Sequence, residues 1–407
     1  MKNTSVKNEK TLNIKSKFFE AVLVMISSVA VGIICGGIGG AFAKSIGFVT
    51  QLRTEHEWLL YLLPFGGLLT VVLYKLTKTE GIGTDRAIES ATGKARTPVL
   101  LMPVVFTASV MTHLFGGSAG KEGAALQLGS GVAELVSKLV KADEKMHNAL
   151  AVCGMAALFS AAFGTPVGAC IFALEVAVVG KINLFAAFPS AVSSFTAYCI
   201  SVVMGVSPER FSLNSSPDLE ITVLIKTAAI SLIVSVAAGI FCHILRGGKE
   251  LIRKLIKNPY LSILAGGCAI IVLTLIFGTD YNGGGMFLID RIFEDGIVRP
   301  EAFVLKFVFT VITVCTGFKG GEIVPSFVIG ATLGAVLSGL FGLPAAFCAA
   351  IGMVAFFSAV TNCQMAAAVI AVELFGAKGF VFFALAAFSA RAIFPKISLY
   401  NKQEFNF

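Results

Sequence analysis

The chain has 407 residues, 56% of them hydrophobic and only 14% charged, against roughly 25% charged in a soluble domain. A formal net charge of +8 could suggest a nucleic-acid surface, but the basic residues fall in short stretches between apolar runs rather than in one patch. That pattern excludes a soluble domain and a nucleic-acid partner, and predicts an all-α polytopic protein surrounded by membrane lipid.

In chain order, residues 1–17 form a polar arm carrying Lys2, Lys7, Lys10, Lys15 and Lys17. Further basic stretches hold Lys75, Lys78, Lys94 and Arg96, and then Arg246, Lys249, Arg253, Lys254 and Lys257. By the positive-inside rule the N-terminus is cytoplasmic, in the cell membrane. The first apolar run lacks a small-residue cleavage site and reads as a retained helix. Crossing a bilayer takes about 20 apolar residues at a rise of about 1.5 Å each. Such runs occur at Phe18–Val49, Trp58–Leu76, Pro98–Phe115, Ala149–Val179, Leu184–Met204, Ile221–Leu245, Leu261–Phe277, Ala302–Thr316, Ala345–Val372 and Phe380–Phe394. Two are too long for one plain span and are interrupted, at Gly164-Thr165-Pro166 and at Thr361-Asn362-Cys363-Gln364. Ala124–Val140 and Val324–Phe341 start from glycine clusters and read as half-helices. One membrane domain, 18–394, is expected, followed by a short tail, 395–407.

The segment Gly116-Gly117-Ser118-Ala119-Gly120-Lys121-Glu122-Gly123 carries the most information. It places four glycines and an ionisable pair where the chain should be crossing the bilayer. Broken backbone survives there only when it lines a cavity or is buried in protein, and a carboxylate at that depth marks an ion or proton pathway. Glycines allow bare N–H groups to converge, and the helix that follows aims its positive end at the same point. The segment therefore reads as an anion site. The plainer reading of Glu122 is a carboxylate that only stabilises the helix N-terminus.

The chain also repeats itself. Gly154-Met155-Ala156-Ala157-Leu158-Phe159-Ser160-Ala161, running on to Glu175, is echoed 198 positions later by Gly352-Met353-Val354-Ala355-Phe356-Phe357-Ser358-Ala359, running on to Glu373. The Gly116–Gly129 stretch with Glu122 is echoed by Gly317–Gly330 with Glu322. Two repeats, roughly 18–205 and 219–394, with matching interrupted helices are the sign of a transporter with its site at the repeat interface. The equivalent places of Glu175 and Glu373 suggest a shared packing or capping role.

These motifs resemble the CLC chloride channel and anion/proton exchanger superfamily over nearly the whole chain. Gly81-Ile82-Gly83-Thr84-Asp85 stands where that family has GSGIP, Gly120-Lys121-Glu122-Gly123 matches GK/REGP, Gly320-Gly321-Glu322-Ile323-Val324-Pro325 stands where it has GGxFxP, and Ser398-Leu399-Tyr400 is similar to its late tyrosine segment. The resemblance implies an inverted-repeat fold of about eighteen helices, whose broken helices meet at a central anion, usually in a homodimer with one pathway per subunit. It implies that Ile82, Gly83, Gly120, Lys121, Gly123, Gly321, Ile323, Val324 and Tyr400 line the anion path. It also implies that Glu122 competes with the anion and carries protons.

The departures narrow the expectation. Ile82 replaces a serine whose hydroxyl helps hold chloride, and Val176 stands where the proton-coupled exchangers have a second, inner glutamate. Together with the acidic GGE motif and the compact length, these changes resemble the branch that exports fluoride in exchange for protons, with Glu322 the second coupling carboxylate. The alternatives are a chloride channel or chloride/proton exchanger of the same fold and, for Glu322, a helix cap. An intramembrane enzyme using Glu122 and Glu322 as an acid/base pair has no nucleophile or metal to support it, so the protein is read as no enzyme and no cofactor is expected.

Among the remaining polar residues, His56 and His147 are expected in solvent, and His113 and His243 as structural histidines near helix ends. Gly283-Gly284-Gly285 reads as a flexible loop. The nine cysteines, without a paired framework, read as small packing residues.

Overall fold

The computed structural model describes residues 2–213 and 216–406, with side chains from residue 20 onward. Among the described residues, sixteen α-helices follow one another as two sets of eight. The first set is α1 (Lys2–Glu55), α2 (Leu63–Leu76), α3 (Thr84–Ala91), α4 (Leu101–Leu114), α5 (Glu122–Leu139), α6 (Glu144–Phe163), α7 (Pro166–Ala177) and α8 (Leu184–Val203). The second is α9 (Ile221–Leu255), α10 (Pro259–Phe277), α11 (Met286–Asp295), α12 (Ala302–Cys315), α13 (Ile323–Phe341), α14 (Ala345–Thr361), α15 (Gln364–Phe375) and α16 (Phe380–Ala390). About eighteen helices were implied, but the described chain after Ala390 runs as turns, bends and one short strand instead. The expected arm at 1–17 has its backbone in α1, apart from Met1; Met1 and the side chains of its lysines lie outside the described residues.

Both interruptions in the long apolar runs fall where the sequence placed them. Gly164 ends α6 with φ 81°, and Asn362 ends α14 with φ 57°. Each is in the left-handed conformation that terminates a helix, which glycine adopts freely and asparagine tolerates. The two positions are 198 residues apart, the offset of the repeat. α6 and α14 are almost wholly buried and form the hubs of their halves.

Helices in lipid gain little from hydrophobic association and pack through close backbone approach at small residues. α5 crosses α6 at Gly129 and Gly154, and α13 crosses α14 at Gly330 and Gly352. In both crossings a Cβ on either glycine would collide with the carbonyl of its partner. Phenylalanines join the halves: Phe163 stacks on Phe327 at 5.6 Å, and Phe172 packs on Phe357 at 5.5 Å.

Seven helices among the described residues are long and apolar enough to cross a membrane. Others, such as α4 and α12, have 14 residues and extend only about 21 Å at 1.5 Å per residue, short of the roughly 30 Å hydrocarbon core. They end instead in the two glycine breaks, at depth. A two-stranded parallel pair, β1 (Val178–Val179) with β2 (Glu404–Phe405), ties the tail to the end of α7.

Candidate functional site

The two glycine breaks meet. Gly120 N–H donates to the Gly321 carbonyl at 2.7 Å, and Gly321 N–H donates to the Gly120 carbonyl at 2.6 Å, forming one antiparallel bridge. Residues about 200 positions apart thus make a seam of bare backbone. A Cβ at Gly321 would strike the Gly123 nitrogen, so the seam closes only without side chains. α5 starts two residues after Gly120 and α13 two after Gly321. Two helix N-termini, with their unpaired N–H groups and positive dipole ends, therefore flank the seam.

Glu122 is the first residue of α5, fully buried, with no hydrogen-bond partner for either carboxylate oxygen. Its neighbour Lys121 pairs with Glu209 at 3.5 Å. Glu322 differs. Its side chain is 16% exposed and accepts from Lys249 Nζ at 3.1 Å. It occupies the N-cap position of α13 without making a side-chain cap, so the capping alternative has no hydrogen bond behind it.

A cavity of about 550 Å³ opens beside the seam, lined in part by Ile82, Gly83, Lys249, Lys319, Glu322 and Tyr400. Expected site residues from three distant segments are thereby brought together. Gly120, Gly123 and Gly321 make the seam, and Ile323 and Val324 are buried at the start of α13. The Tyr400 hydroxyl is buried in the cavity wall without a partner. The wall also holds groups that motif reading missed. Gln127, one turn after Gly123, donates to Thr84 Oγ1 at 3.3 Å and the Gly123 carbonyl at 3.4 Å, leaving its own Oε1 free. Asp85 fastens the tail by accepting from Asn401 N–H at 2.9 Å. A polar residue one turn into a half-helix was the available signal for Gln127.

At the place of the inner glutamate, Val176 is buried and its carbonyl accepts from Gln403 at 3.1 Å, so no titratable side chain stands there. Glu175 and Glu373 clasp each other's helices. Glu175 accepts from the N–H groups of Met365 and Ala366 at the start of α15, and Glu373 from those of Val167 and Gly168 at the start of α7.

Two minor expectations fail. His147 is buried rather than in solvent, with Nε2 2.7 Å from Glu134 Oε2, because the α5–α6 hairpin folds those residues together. Gly283-Gly284-Gly285 is no loose loop. Asn282 donates to the Gly116 carbonyl at 2.7 Å and Gly283 N–H to the Gly117 carbonyl at 3.1 Å, pinning the turn to the first break.

The family model described as voltage gated chloride channel matches residues 66–394. The "Chloride/fluoride channel protein" of Pseudomonas syringae pv. tomato is 30% identical, over 92% of this chain and 84% of that protein. An "H(+)/Cl(-) exchange transporter" of Citrobacter koseri is 26% identical, over 80% of this chain and 73% of that protein. Among solved structures, a CLC-type fluoride/proton antiporter superposes with a TM-score of 0.92 at 33% identity, covering 96% of this chain and 99% of its own. A slow cyanobacterial Cl⁻/H⁺ antiporter, 18% identical with a TM-score of 0.77 and coverages of 92% and 96%, shares the fold. The chain belongs to the voltage-gated chloride channel (CLC) family.

Proposed function

We propose that this member of the CLC family exports fluoride across the cell membrane in exchange for protons. The observation that carries this reading is Glu122, a fully buried carboxylate with no partner at a seam of bare backbone and helix N-termini. A carboxylate is itself an anion, so when charged it occupies an anion's place and when protonated it leaves. One group thereby links anion occupancy to proton occupancy. Glu322, on the cavity wall, takes the part of second coupling carboxylate that Val176 cannot play. Fluoride is small and strongly hydrated, and its dehydration must be offset by several tightly placed donors. Ile82 supplies no hydroxyl suited to chloride, whereas a protonated carboxyl is a donor of short, strong contacts to a small anion. The likeness to a fluoride/proton antiporter supports the same reading.

In this proposal residues 18–205 and 219–394 are two repeats of one membrane domain, with a cytoplasmic arm at 1–17 and a tail at 395–407. The protein works as a homodimer with one pathway per subunit. It transports ions and turns over no substrate chemically. The test is efflux from liposomes reconstituted with the protein, followed for fluoride and chloride under matched gradients with external pH recorded. Fluoride flux well above chloride, with protons moving the opposite way, is expected. Equal or greater chloride flux would overturn the fluoride assignment and support the chloride alternative.

A further inference from the structure

Lys306 lies in α12, inside an apolar run, and is fully buried. Its surroundings are a shell of hydrogen-bond acceptors. Thr310 Oγ1 donates its only hydrogen to the Lys306 carbonyl at 2.8 Å. Ser118 Oγ lies 3.0 Å from Thr310 Oγ1, so Ser118 must be the donor there. The Ser118 oxygen then has only lone pairs to offer Lys306 Nζ, 2.9 Å away. The carbonyls of Tyr281 and Gly283, at 3.1 and 2.7 Å, can only accept. Three acceptors surround Nζ, one for each proton that an ammonium would donate.

No carboxylate forms an ion pair with this ammonium among the described residues. Its charged neighbour is another cation, Arg53, whose guanidinium donates to the His113 carbonyl at 3.1 Å. A buried charge left without a counter-charge is costly, and an ionisable residue at membrane depth is retained for function. Ser118 sits two residues before Gly120, and Tyr281–Gly283 is the turn pinned to the same break. Lys306 thus holds the segment of backbone that leads into the seam.

We propose that Lys306, with Arg53 beside it, is a positioning residue whose positive charge is balanced by the transported anion, so that it sets apparent anion affinity. The inference rests on the transport reading above. Its backbone clamp keeps the first break in register with the second, while its charge lowers the cost of bringing a dehydrated anion to the seam.

The full-length protein is reconstituted and fluoride efflux measured over a range of internal fluoride, alongside fluoride binding by calorimetry and thermal unfolding. Lys306→Met should raise KM roughly tenfold, equivalent to about 1.4 kcal/mol of binding, and weaken binding in parallel, whereas Lys306→Arg should stay near wild type. Ser118→Ala keeps the charge and loosens the clamp, so turnover should fall at nearly constant KM. If Lys306→Met does not fold, Arg53→Gln, on a half-buried side chain, carries the test and should raise KM at unchanged unfolding temperature. A folded Lys306→Met with wild-type KM and binding overturns the proposal, as does a wild-type KM in Arg53→Gln where Lys306→Met cannot be made. Should wild type move neither fluoride nor chloride, the transport reading fails by itself. Calorimetry then decides the fate of Lys306: unchanged fluoride binding in Lys306→Met overturns it, and weakened binding upholds it.

Discussion

The two glycine breaks share a backbone and diverge in their side chains. Each precedes a half-helix, each contributes one glycine to the same bridge, and each has a glutamate close behind that glycine, Glu122 two residues after Gly120 and Glu322 one after Gly321. Yet Glu122 is sealed in protein with nothing to bond, while Glu322 faces a cavity and is held by Lys249. The backbone geometry occurs twice, and the surroundings of the two carboxylates differ. In the proposed function the carboxylate without a partner is the one that changes place with the anion, and the one beside the cavity takes the second coupling role.

The strongest way to break this contrast is to remove the titratable group from the first half. Glu122→Gln keeps the size of the side chain and should abolish proton-coupled exchange, a loss of at least tenfold in proton flux. Glu122→Ala should leave the place permanently open and give anion flux uncoupled from protons. Parallel recordings of pH and fluoride decide it, and wild-type coupling in the Gln variant would sink the role given to Glu122.

In the second half the same substitution should act more mildly. Glu322→Gln should fold normally and impair proton movement, because it removes the carboxylate while sparing the unpaired α13 N-terminus. Intact coupling with a lowered melting temperature would instead show that Glu322 serves stability alone.

The smallest effect is expected where the halves are most alike. Glu175 and Glu373 each cap the other's helix through two N–H bonds. Charge-assisted bonds of this kind contribute about 1.5–3 kcal/mol. Glu175→Gln and Glu373→Gln should therefore each lower the unfolding temperature by a few degrees, Glu373→Gln less because its side chain is half-exposed, with proton coupling retained. Loss of coupling in either variant would show that the clasp reaches the transport path.

Much of this was legible in the chain, for identifiable reasons. Gly164, Pro166 and Asn362 punctuate otherwise uniform apolar runs, so the helix breaks could be placed within stretches of three and four residues. The glutamates after Gly120 and Gly321 were visible because charge is rare in such sequence. By contrast, α3 and α11 went unseen, since Thr84–Ala91 and Met286–Asp295 are short, mix charged with apolar residues and look like connecting segments. His147 was misplaced because its partner, Glu134, lies 13 residues back across a hairpin. Lys306 was overlooked although a lone charge in the run Ala302–Thr316 was the signal available. Its partner Ser118 is 188 residues away, a pairing that only the folded chain displays.

The seam between Gly120 and Gly321 has a consequence for how such a protein can change over generations. Its two hydrogen bonds belong to the main chain, so no coding change within the contact can retune them without destroying it. On the proposed function, variation in ion preference enters from the cavity wall, at positions such as 82 and 322. The contact itself offers selection no side chain to alter, because a Cβ on either glycine would collide with its neighbours.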